Sequence, residues 1–283
     1  MSSSHNLGHH LLGIEGLALL RRVDGSEQAV PEGRIQELAA ILARLDEPPY
    51  SVARDVPSID TVRGYAAWAD DYDTPGNVTV ALEQEVVRAL LAQLPTGATV
   101  LDAACGTGRH AAFLADRGHE VIGIDSSAAM LALAQAKVPS ARFEVAQLDD
   151  IPLPESSVDA AVCALALSHS PDIRPGVAEL GRVVRSGGRV IVSNPHPFAT
   201  ELLGWRATVT NNGGELAVIP EYPHSHGECI AAFVAAGLSI VACLEPALSA
   251  EQAVDEAKLG LEDAFHAALT GFPVVIVWDL LRL

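Results

Sequence analysis

Residues 98–108 of this 283-residue chain read Ala-Thr-Val-Leu-Asp-Ala-Ala-Cys-Gly-Thr-Gly, a short apolar run that ends at an acidic residue and passes into a glycine turn. The apolar run predicts a buried parallel strand ending at Asp102, and the periodicity of the residues after the turn predicts a helix. Small residues at Ala104, Gly106 and Gly108 let a ligand approach the backbone. The free N–H groups at the helix start suit a carboxylate or phosphate. This stretch therefore predicts a ligand site at a strand end.

The acidic residues discriminate among the cofactors that a glycine turn can bind. In the dinucleotide fingerprint the strand runs directly into G-x-G, whereas here Asp102 closes the strand before the turn. The next apolar run, 119–124, ends at Asp125, about twenty residues farther on, where a carboxylate can accept hydrogen bonds from both ribose hydroxyls. Two acids at adjacent strand ends indicate a site for adenosine without a pyrophosphate.

The rest of the chain from Tyr65 onward alternates strand and helix patterns. Near-continuous apolar strands separated by helices predict an α/β, Rossmann-like fold with a mostly parallel, seven-stranded sheet covered by helices on both faces. The last two strands are predicted at 238–244 and 273–280, with a helical block at 251–269 between them. No internal repeat is visible.

The first sixty residues form a separate pattern. Two helix-like blocks within 11–45 flank a segment with glycine and proline at 23–31, and a proline-containing linker follows at 47–58. We therefore expect an N-terminal helical extension over 1–60 and a ligand-binding domain over 61–283. The extension is a candidate packing layer or a surface for a homodimer.

Composition excludes several classes of partner. Lys and Arg number 18 against 36 Asp and Glu, a net charge of −18, which is the wrong sign for binding a phosphate backbone, so no nucleic-acid partner is expected. The four cysteines lack C-x-x-C spacing, so neither zinc nor disulfides are expected. The longest apolar stretch, 229–244, is shorter than the roughly 20 residues that span a bilayer. We therefore expect a cytoplasmic protein without a membrane partner.

Four motifs occur in a familiar order: LDAACGTG, GIDSSAAML, LDDIPLP and RVVRSGGRVIVS. Together they resemble the class I S-adenosylmethionine-dependent methyltransferases of the small-molecule type, over roughly residues 65–283. The resemblance implies one antiparallel strand near the end of the sheet, S-adenosyl-L-methionine as the cofactor, and a transferase.

The resemblance also implies which residues contact the cofactor. Carried over by position, they are Tyr65, Tyr72, Asp102, Ala104, Gly106, Gly108, Asp125, Ser126, Met130, Gln147, Leu148, Ala164 and His169. Two positions depart from the family's pattern. Ala104 replaces the usual first glycine, which we expect only to crowd the turn by one methyl group. Gln147 replaces the usual aspartate, so the adenine amino group would use the amide oxygen of Gln147 or the nearby Asp149.

Three segments leave the carboxyl ends of the predicted strands and are candidates for the site's chemistry: 65–72, 167–172 and 194–226. Tyr65, Trp68 and Tyr72 fall at i, i+3 and i+7, which predicts three rings on one helical face, either as core packing or as a lid over a cation. The insert 194–226 is rich in aromatic and imidazole groups and is predicted to cover the acceptor. Its notable residues are His196, Phe198, Trp205, 211–214, Tyr222, His224 and His226. We expect Trp68, His196, Trp205 and Tyr222 to contact the substrate.

His224 and His226 are the candidate catalytic residues, because neutral imidazole suits a proton acceptor near pH 7. The alternatives are helix capping or simple surface exposure. A metal site formed by His196, His224 and His226 is less favoured, because no carboxylate completes an obvious ligand set, although Glu221 and Glu228 are near. We expect no metal.

The function predicted from these features is methyl transfer from S-adenosylmethionine to a small metabolite, an aromatic acceptor of the indole or phenol type in specialised metabolism. Two alternatives stay open. The fold could serve non-methylating chemistry such as cyclisation or decarboxylation, or the chain could be a binding protein without turnover.

Overall fold

The computed structural model describes residues 3–21, 32–74, 76–210, 214–254 and 260–283. The strands are β1 Ser3–Asn6, β2 Ala53–Val56, β3 Thr99–Ala103, β4 Glu120–Asp125, β5 Arg142–Val145, β6 Val158–Ala164, β7 Val184–Pro195, β8 Thr208–Thr210, β9 Leu216–Val218, β10 Leu238–Leu244 and β11 Val275–Arg282. The helices are α1 Leu7–Leu20, α2 Glu32–Ala43, α3 Thr61–Trp68, α4 Val78–Leu91, α5 Arg109–Ala115, α6 Ala128–Lys137, α7 Arg174–Val183, α8 Pro197–Glu201, α9 His226–Ala235 and α10 Glu262–Leu269. A 3₁₀ turn covers Leu167–His169.

The main sheet has seven strands in the order β10-β11-β7-β6-β3-β4-β5. The five strands from β7 to β5 pair in parallel, whereas β11 is antiparallel to both β7 and β10. The predicted fold class, a mostly parallel seven-stranded sheet, is therefore confirmed.

Side chains alternate between the two faces of the sheet and create two apolar cores. Val100 packs with α1, α4, α5 and α10 on one face, and its neighbour Leu101 packs with α7 and α9 on the other. Both side chains are fully buried. Such strands need apolar residues on both faces, which is why they read as continuous apolar runs.

The N-terminal residues pack onto this body. Leu11, Ile14 and Ala18 of α1 are buried in the same core as the sheet, against α10. β2 pairs antiparallel with β1, although its residues fall within the predicted linker 47–58. The helix predicted at 251–269 is shorter than expected, since α10 begins only at Glu262. The breaker segment 23–31 and residues 255–259 lie outside the described residues.

The insert 194–226 folds over the carboxyl ends of the strands. It contains α8 and the hairpin of β8 and β9, and Ile219 after this hairpin packs on α3. A Cβ atom at Gly64 would lie only 2.6 Å from Ile219 Cγ1, so glycine permits this close contact. The predicted acceptor residues 211–213 lie outside the described residues. Within the described ranges, the helices are too short or too polar to cross a bilayer.

Candidate active site

A first cavity, of about 450 Å³, opens at the carboxyl ends of β3, β4 and β6. Ligands of open α/β sheets bind at this edge. The predicted residues that line it are Tyr65, Tyr72, Ala104, Gly106, Asp125, Ser126, Met130, Gln147, Leu148, Ala164 and His169. Asp102 and Gly108 do not line it but lie in the strand and turn beside it. The lining also includes Leu167 and Asp172 of the candidate segment 167–172, and Asp60 and Leu165, which were not predicted from the sequence.

Asp125 stands at the end of β4 with both carboxylate oxygens fixed by the backbone. Oδ2 accepts from the N–H of Gly106 at 2.9 Å, and Oδ1 accepts from the N–H of Ser127 at 2.8 Å. Burial raises the pKa of this carboxyl, and the two backbone donors oppose the rise. The result is a carboxylate held in one orientation at the cavity wall, where its remaining lone pairs can accept from a diol.

The glycine turn places three alternate small residues in left-handed conformations. The φ angles of Ala104, Gly106 and Gly108 are +56°, +54° and +78°. The positive φ of Gly108 favours glycine. A Cβ atom at this position would also lie 3.0 Å from the Cβ of Ala134 in α6, so the close packing of the turn on α6 favours glycine as well. The extra methyl of Ala104 does more than crowd the turn, because a non-glycine residue at positive φ is strained.

Asp102 lies beneath the turn and is only 1% exposed. Burial raises the pKa of its carboxyl to about 6, against the opposing charges of His110 and Arg109. Within the described residues its Oδ2 atom has no hydrogen-bond partner. The charged form of Asp102 is therefore costly unless a cation or donor reaches it.

Replacing Asp102 with asparagine should stabilise the ligand-free protein above pH 6. The pKa of Asp102 is higher in the folded protein than in the unfolded chain. Its carboxyl therefore favours folding at low pH, where it is protonated, and this contribution to the free energy of unfolding is lost as the pH rises through about 6. Two pKa units correspond to about 3 kcal/mol. Urea unfolding should show Asp102→Asn more stable by about 2–3 kcal/mol at pH 8.

The two proteins should have equal stability near pH 4, where Asp102 is protonated. A stability difference that stays constant from pH 4 to pH 8 would contradict the raised pKa.

A second cavity, of about 420 Å³, adjoins the first. Tyr65, Tyr72 and Leu165 line both cavities, so the two spaces meet at these side chains. The second cavity is otherwise walled by Trp68, Trp205, Arg206, Glu221 and residues of α4, α8 and β8. The predicted substrate residues Trp68 and Trp205 thus lie together in one cavity.

The three rings of the predicted aromatic face lie together, but not on one helix. α3 ends at Trp68, and Tyr72 follows in a turn. Tyr65 lies 6.1 Å from Trp68 and 6.0 Å from Tyr72 between ring centroids, and Trp68 lies 5.2 Å from Tyr72. The cluster borders both cavities, where it can exclude water from the space between them.

His169 fixes the orientation of Tyr65 at this junction. Its Nδ1 atom lies 2.8 Å from the carbonyl oxygen of Pro220, which can only accept, so Nδ1 carries the proton. Burial lowers the pKa of His169 and favours the neutral ring. Its Nε2 atom therefore accepts from the hydroxyl of Tyr65 at 2.7 Å. This chain of hydrogen bonds connects α3 to the insert.

The candidate catalytic histidines line neither of these two cavities. His224, His226 and Tyr222 border a third space of only about 10 Å³, which shares Pro195, Thr200 and Glu221 with the second cavity. Nε2 of His224 lies 2.9 Å from the carbonyl oxygen of Ser170, so it donates to that oxygen. Ser225 caps α9 by accepting from the N–H of Glu228, and its own N–H donates to the Glu228 carboxylate in return, which sets the backbone of this segment. The structure does not bring these histidines to the cavity that contains Trp68 and Trp205.

His196, His226 and Glu245 form a cluster that the sequence did not reveal. Nε2 of His196 and Nε2 of His226 lie 3.0 Å and 3.1 Å from Oε1 of Glu245. The sequence offered no carboxylate to complete a metal site with these histidines, whereas in the structure Glu245, which follows the insert, lies beside His196 and His226. His196 is 1% exposed and lines neither of the two larger cavities, so it lies away from the other predicted substrate residues.

The tautomer of His196 argues against a metal at this cluster. The N–H of Phe198 donates to its Nδ1 atom at 3.1 Å, so the proton of the neutral ring lies on Nε2. A metal bound at Nε2 would require that proton to move to Nδ1, where it would face the N–H of Phe198. Glu245 therefore accepts hydrogen bonds from this histidine, and the two imidazoles lower its pKa.

Glu83 of α4 anchors the helix that follows the glycine turn. Its carboxylate is fully buried and contacts Arg109 Nη1 at 2.6 Å, His110 Nε2 at 3.1 Å and Ser193 Oγ at 3.0 Å. The charges of His110 and Arg109 outweigh burial and lower the pKa of Glu83 to about 2. Ser193 in turn accepts from the N–H of Leu165, at the junction of the cavities.

Comparisons with known proteins bear on this architecture. Residues 101–192 match a family model described as a methyltransferase domain. A malonyl-(acyl-carrier protein) O-methyltransferase of Yersinia pestis is 31% identical over 157 residues, 56% of this chain and 57% of the relative. A demethylmenaquinone methyltransferase of Deinococcus radiodurans is 36% identical over 141 residues, 43% of this chain and 58% of the relative. The crystal structure of an S-adenosylmethionine-dependent methyltransferase from Mesorhizobium loti matches with a TM-score of 0.54 at 22% identity, covering 71% of this chain and 98% of that chain.

The family match coincides with one part of the site. It runs from β3 to β7 and includes the strand ends around the first cavity. Trp68, Trp205 and Glu221 of the second cavity lie outside the matched residues. The chain spans about half the length of the curated relatives it matches. The similarity therefore concerns the first cavity more than the second.

Proposed function

We propose that this chain, which matches a methyltransferase domain over residues 101–192, is a class I S-adenosylmethionine-dependent methyltransferase that transfers the methyl group of S-adenosylmethionine to a small molecule bound in the second cavity. The observation that carries the proposal is the junction of two cavities of similar size at Tyr65, Tyr72 and Leu165. One cavity can hold the methyl donor and the other the acceptor.

The residues of the first cavity fit S-adenosylmethionine. Asp125 presents a rigid carboxylate for a ribose diol, and Met130 and Leu148 supply apolar walls for a purine. Gln147, the departure from the family's aspartate, lines the cavity together with Asp149, so either can accept from the adenine amino group. Asp102 has a buried oxygen without a partner beneath the turn, where the donor's methionine end would lie.

When bound, S-adenosylmethionine supplies a methyl carbon made electrophilic by the adjacent sulfonium. The chain contributes alignment, because rate in such a reaction comes largely from holding the nucleophile in line with the reacting carbon. Tyr65, held by His169, and Tyr72 border both cavities and keep water from the junction. Their ring faces also favour a cation.

We further propose that the acceptor is aromatic. Trp68 and Trp205 wall the second cavity together with the rings of Tyr65 and Tyr72, and such walls favour a planar, apolar ligand. The names of the two relatives specify different acceptors, malonyl-(acyl-carrier protein) and demethylmenaquinone. The acceptor class therefore rests on the second cavity and not on the relatives.

Calorimetry followed by product analysis tests this function. S-adenosylmethionine and its demethylated product should bind the purified protein, and NAD should not. Methyl-deuterated S-adenosylmethionine is then incubated with a metabolite extract, and mass spectrometry should find a product that has gained one labelled methyl group. A rearranged product without label would indicate non-methylating chemistry, and binding without any product would indicate a binding protein.

Self-association through residues 1–60 stays a prediction. Leu20, Ile35 and Leu42 of this extension are exposed apolar residues that a second copy could cover. Sedimentation equilibrium of the full chain decides between monomer and dimer.

A further inference from the structure

Glu221 is a half-buried carboxylate in the wall of the second cavity. We propose that Glu221 binds the acceptor's hydroxyl group and receives its proton, and that the acceptor is therefore a neutral hydroxyarene. This inference rests on the proposed function, because it names the acceptor class of the same reaction. In the sequence, Glu221 is distinguished only by its nearness to the histidines of the insert.

The position of Glu221 is fixed from two sides. Its Oε2 atom accepts from the N–H of Ala207 at 3.1 Å, which ties it to the strand-like segment opposite. The preceding residue, Pro220, accepts from His169, which orients Tyr65. The same short backbone segment, Pro220 and Glu221, therefore holds the orienting histidine of Tyr65 and places the carboxylate in the wall of the second cavity.

The charge around Glu221 favours a neutral ligand. Arg206 lines the same cavity, and its charge opposes the effect of burial, which raises the pKa of Glu221. Arg206 itself is held by the carbonyl oxygens of Thr200 and Trp205. Tyr65 and Tyr72 line the same cavity, and burial raises the pKa of both hydroxyls, so they stay neutral. On its other side, Glu221 borders the small space of His224 and His226. With the arginine present the wall carries no net negative charge, so it offers little attraction for an ammonium group.

A phenol fits both the aromatic walls of the second cavity and the carboxylate of Glu221. Its ring stacks on the tryptophans, and its O–H donates to the carboxylate. In the transfer step, the acceptor oxygen forms a bond to the methyl carbon while the bond between that carbon and sulfur breaks, and the electron pair stays on sulfur. The hydroxyl proton passes to Glu221 and from there to water. A carboxyl with a raised pKa accepts such a proton more readily than an ordinary one.

His224 is the rival proton acceptor. Its Nε2 atom faces the carbonyl oxygen of Ser170, and it borders the small third space. For His224 to act, its ring would have to leave that hydrogen bond and reach the second cavity. Glu221 needs no such movement, because it already lines the cavity.

The experiment compares wild type with Glu221→Gln, which keeps the shape and removes the charge, and with Glu201→Gln, an exposed carboxylate on α8, as control. The probes are 4-nitrophenol and its methyl ether, 4-nitroanisole, titrated by calorimetry without cofactor. Wild type and Glu201→Gln should bind the phenol at least about tenfold more tightly than the ether, the usual value of a hydrogen bond to a charged group. Glu221→Gln should lose most of this preference.

The phenolate absorbance of 4-nitrophenol provides a second readout. A carboxylate against the bound hydroxyl should raise the pKa of the probe relative to water, and the rise should be smaller in Glu221→Gln. S-adenosylhomocysteine binding and melting temperature, measured separately, should be unchanged in the variant.

Wild type that shows no preference for the phenol, or Glu221→Gln that retains it, would overturn the proposal. Loss of the preference in His224→Ala but not in Glu221→Gln would transfer the role to His224. Failure of wild type to bind S-adenosylhomocysteine would contradict the proposed function instead, and the probe titrations do not depend on that result.

Discussion

Replacing Glu83 with alanine should lower the free energy of unfolding by about 3–5 kcal/mol, the largest loss that we expect from a single substitution. The side chain is fully buried and contacts Arg109, His110 and Ser193. Removing it leaves a buried guanidinium and a buried imidazole without their acceptor. Urea or guanidinium unfolding at pH 7 measures the loss.

The matched control is Glu85→Ala, which removes an exposed carboxylate from the same helix and should change stability by less than about 0.5 kcal/mol. Glu83→Gln provides the pH test. The lowered pKa of Glu83 means that its contribution is complete above about pH 4.5 and is lost as the pH falls toward about 2. The difference between wild type and Glu83→Gln should therefore shrink in acid. A Glu83→Ala protein as stable as Glu85→Ala would show that the buried ion pair contributes nothing.

The sequence predicted those parts of the site that depend on local pattern. The apolar run before Asp102 and the run before Asp125 became β3 and β4, which end within one residue of the expected positions. Glycine at Gly108 is required by a positive φ and by the contact with Ala134. These features could be predicted because backbone conformation and strand periodicity are encoded by neighbouring residues.

Contacts between distant segments could not be predicted in this way. Glu83 reads as one more charged residue of an amphipathic helix, and its partners lie 26, 27 and 110 positions away. Lys137 of α6 binds Asp73, which accepts from Thr107 in the glycine turn, so three segments meet beside Tyr72. Such charge pairs depend on how the elements pack, and a single sequence carries no local signal for them.

The contacts of the histidines also could not be predicted from the sequence. Their density in the insert predicted a shared role, but tertiary packing separates His224 from the pair formed by His196 and His226, which share Glu245. His169 orients Tyr65, His224 binds the backbone at Ser170, and His196 pairs with Glu245. Glu245 lies 49 positions from His196. The acidic side chain that lines the second cavity is Glu221, whose only sequence signal was its place near the histidines of the insert.

Replacing Asp125 with alanine should weaken the binding of S-adenosylhomocysteine by about 1.5–3 kcal/mol, roughly 10- to 150-fold in Kd. The carboxylate is held by the N–H groups of Gly106 and Ser127 and lines the first cavity at the end of β4. A diol that binds there gains charged hydrogen bonds without the cost of ordering the side chain. Calorimetry with the purified variant measures the change.

Asp116→Ala is the matched control, because it removes one exposed negative charge just after α5, away from the lining of the first cavity. It should bind S-adenosylhomocysteine as wild type does, so a loss confined to Asp125→Ala reflects direct binding and not net charge. The melting temperature of Asp125→Ala separates lost binding from a disordered turn, since alanine also frees the N–H groups of Gly106 and Ser127. An unchanged Kd in a folded Asp125→Ala protein would mean that the ribose is held elsewhere, and the assignment of the first cavity to the cofactor would lose its main support.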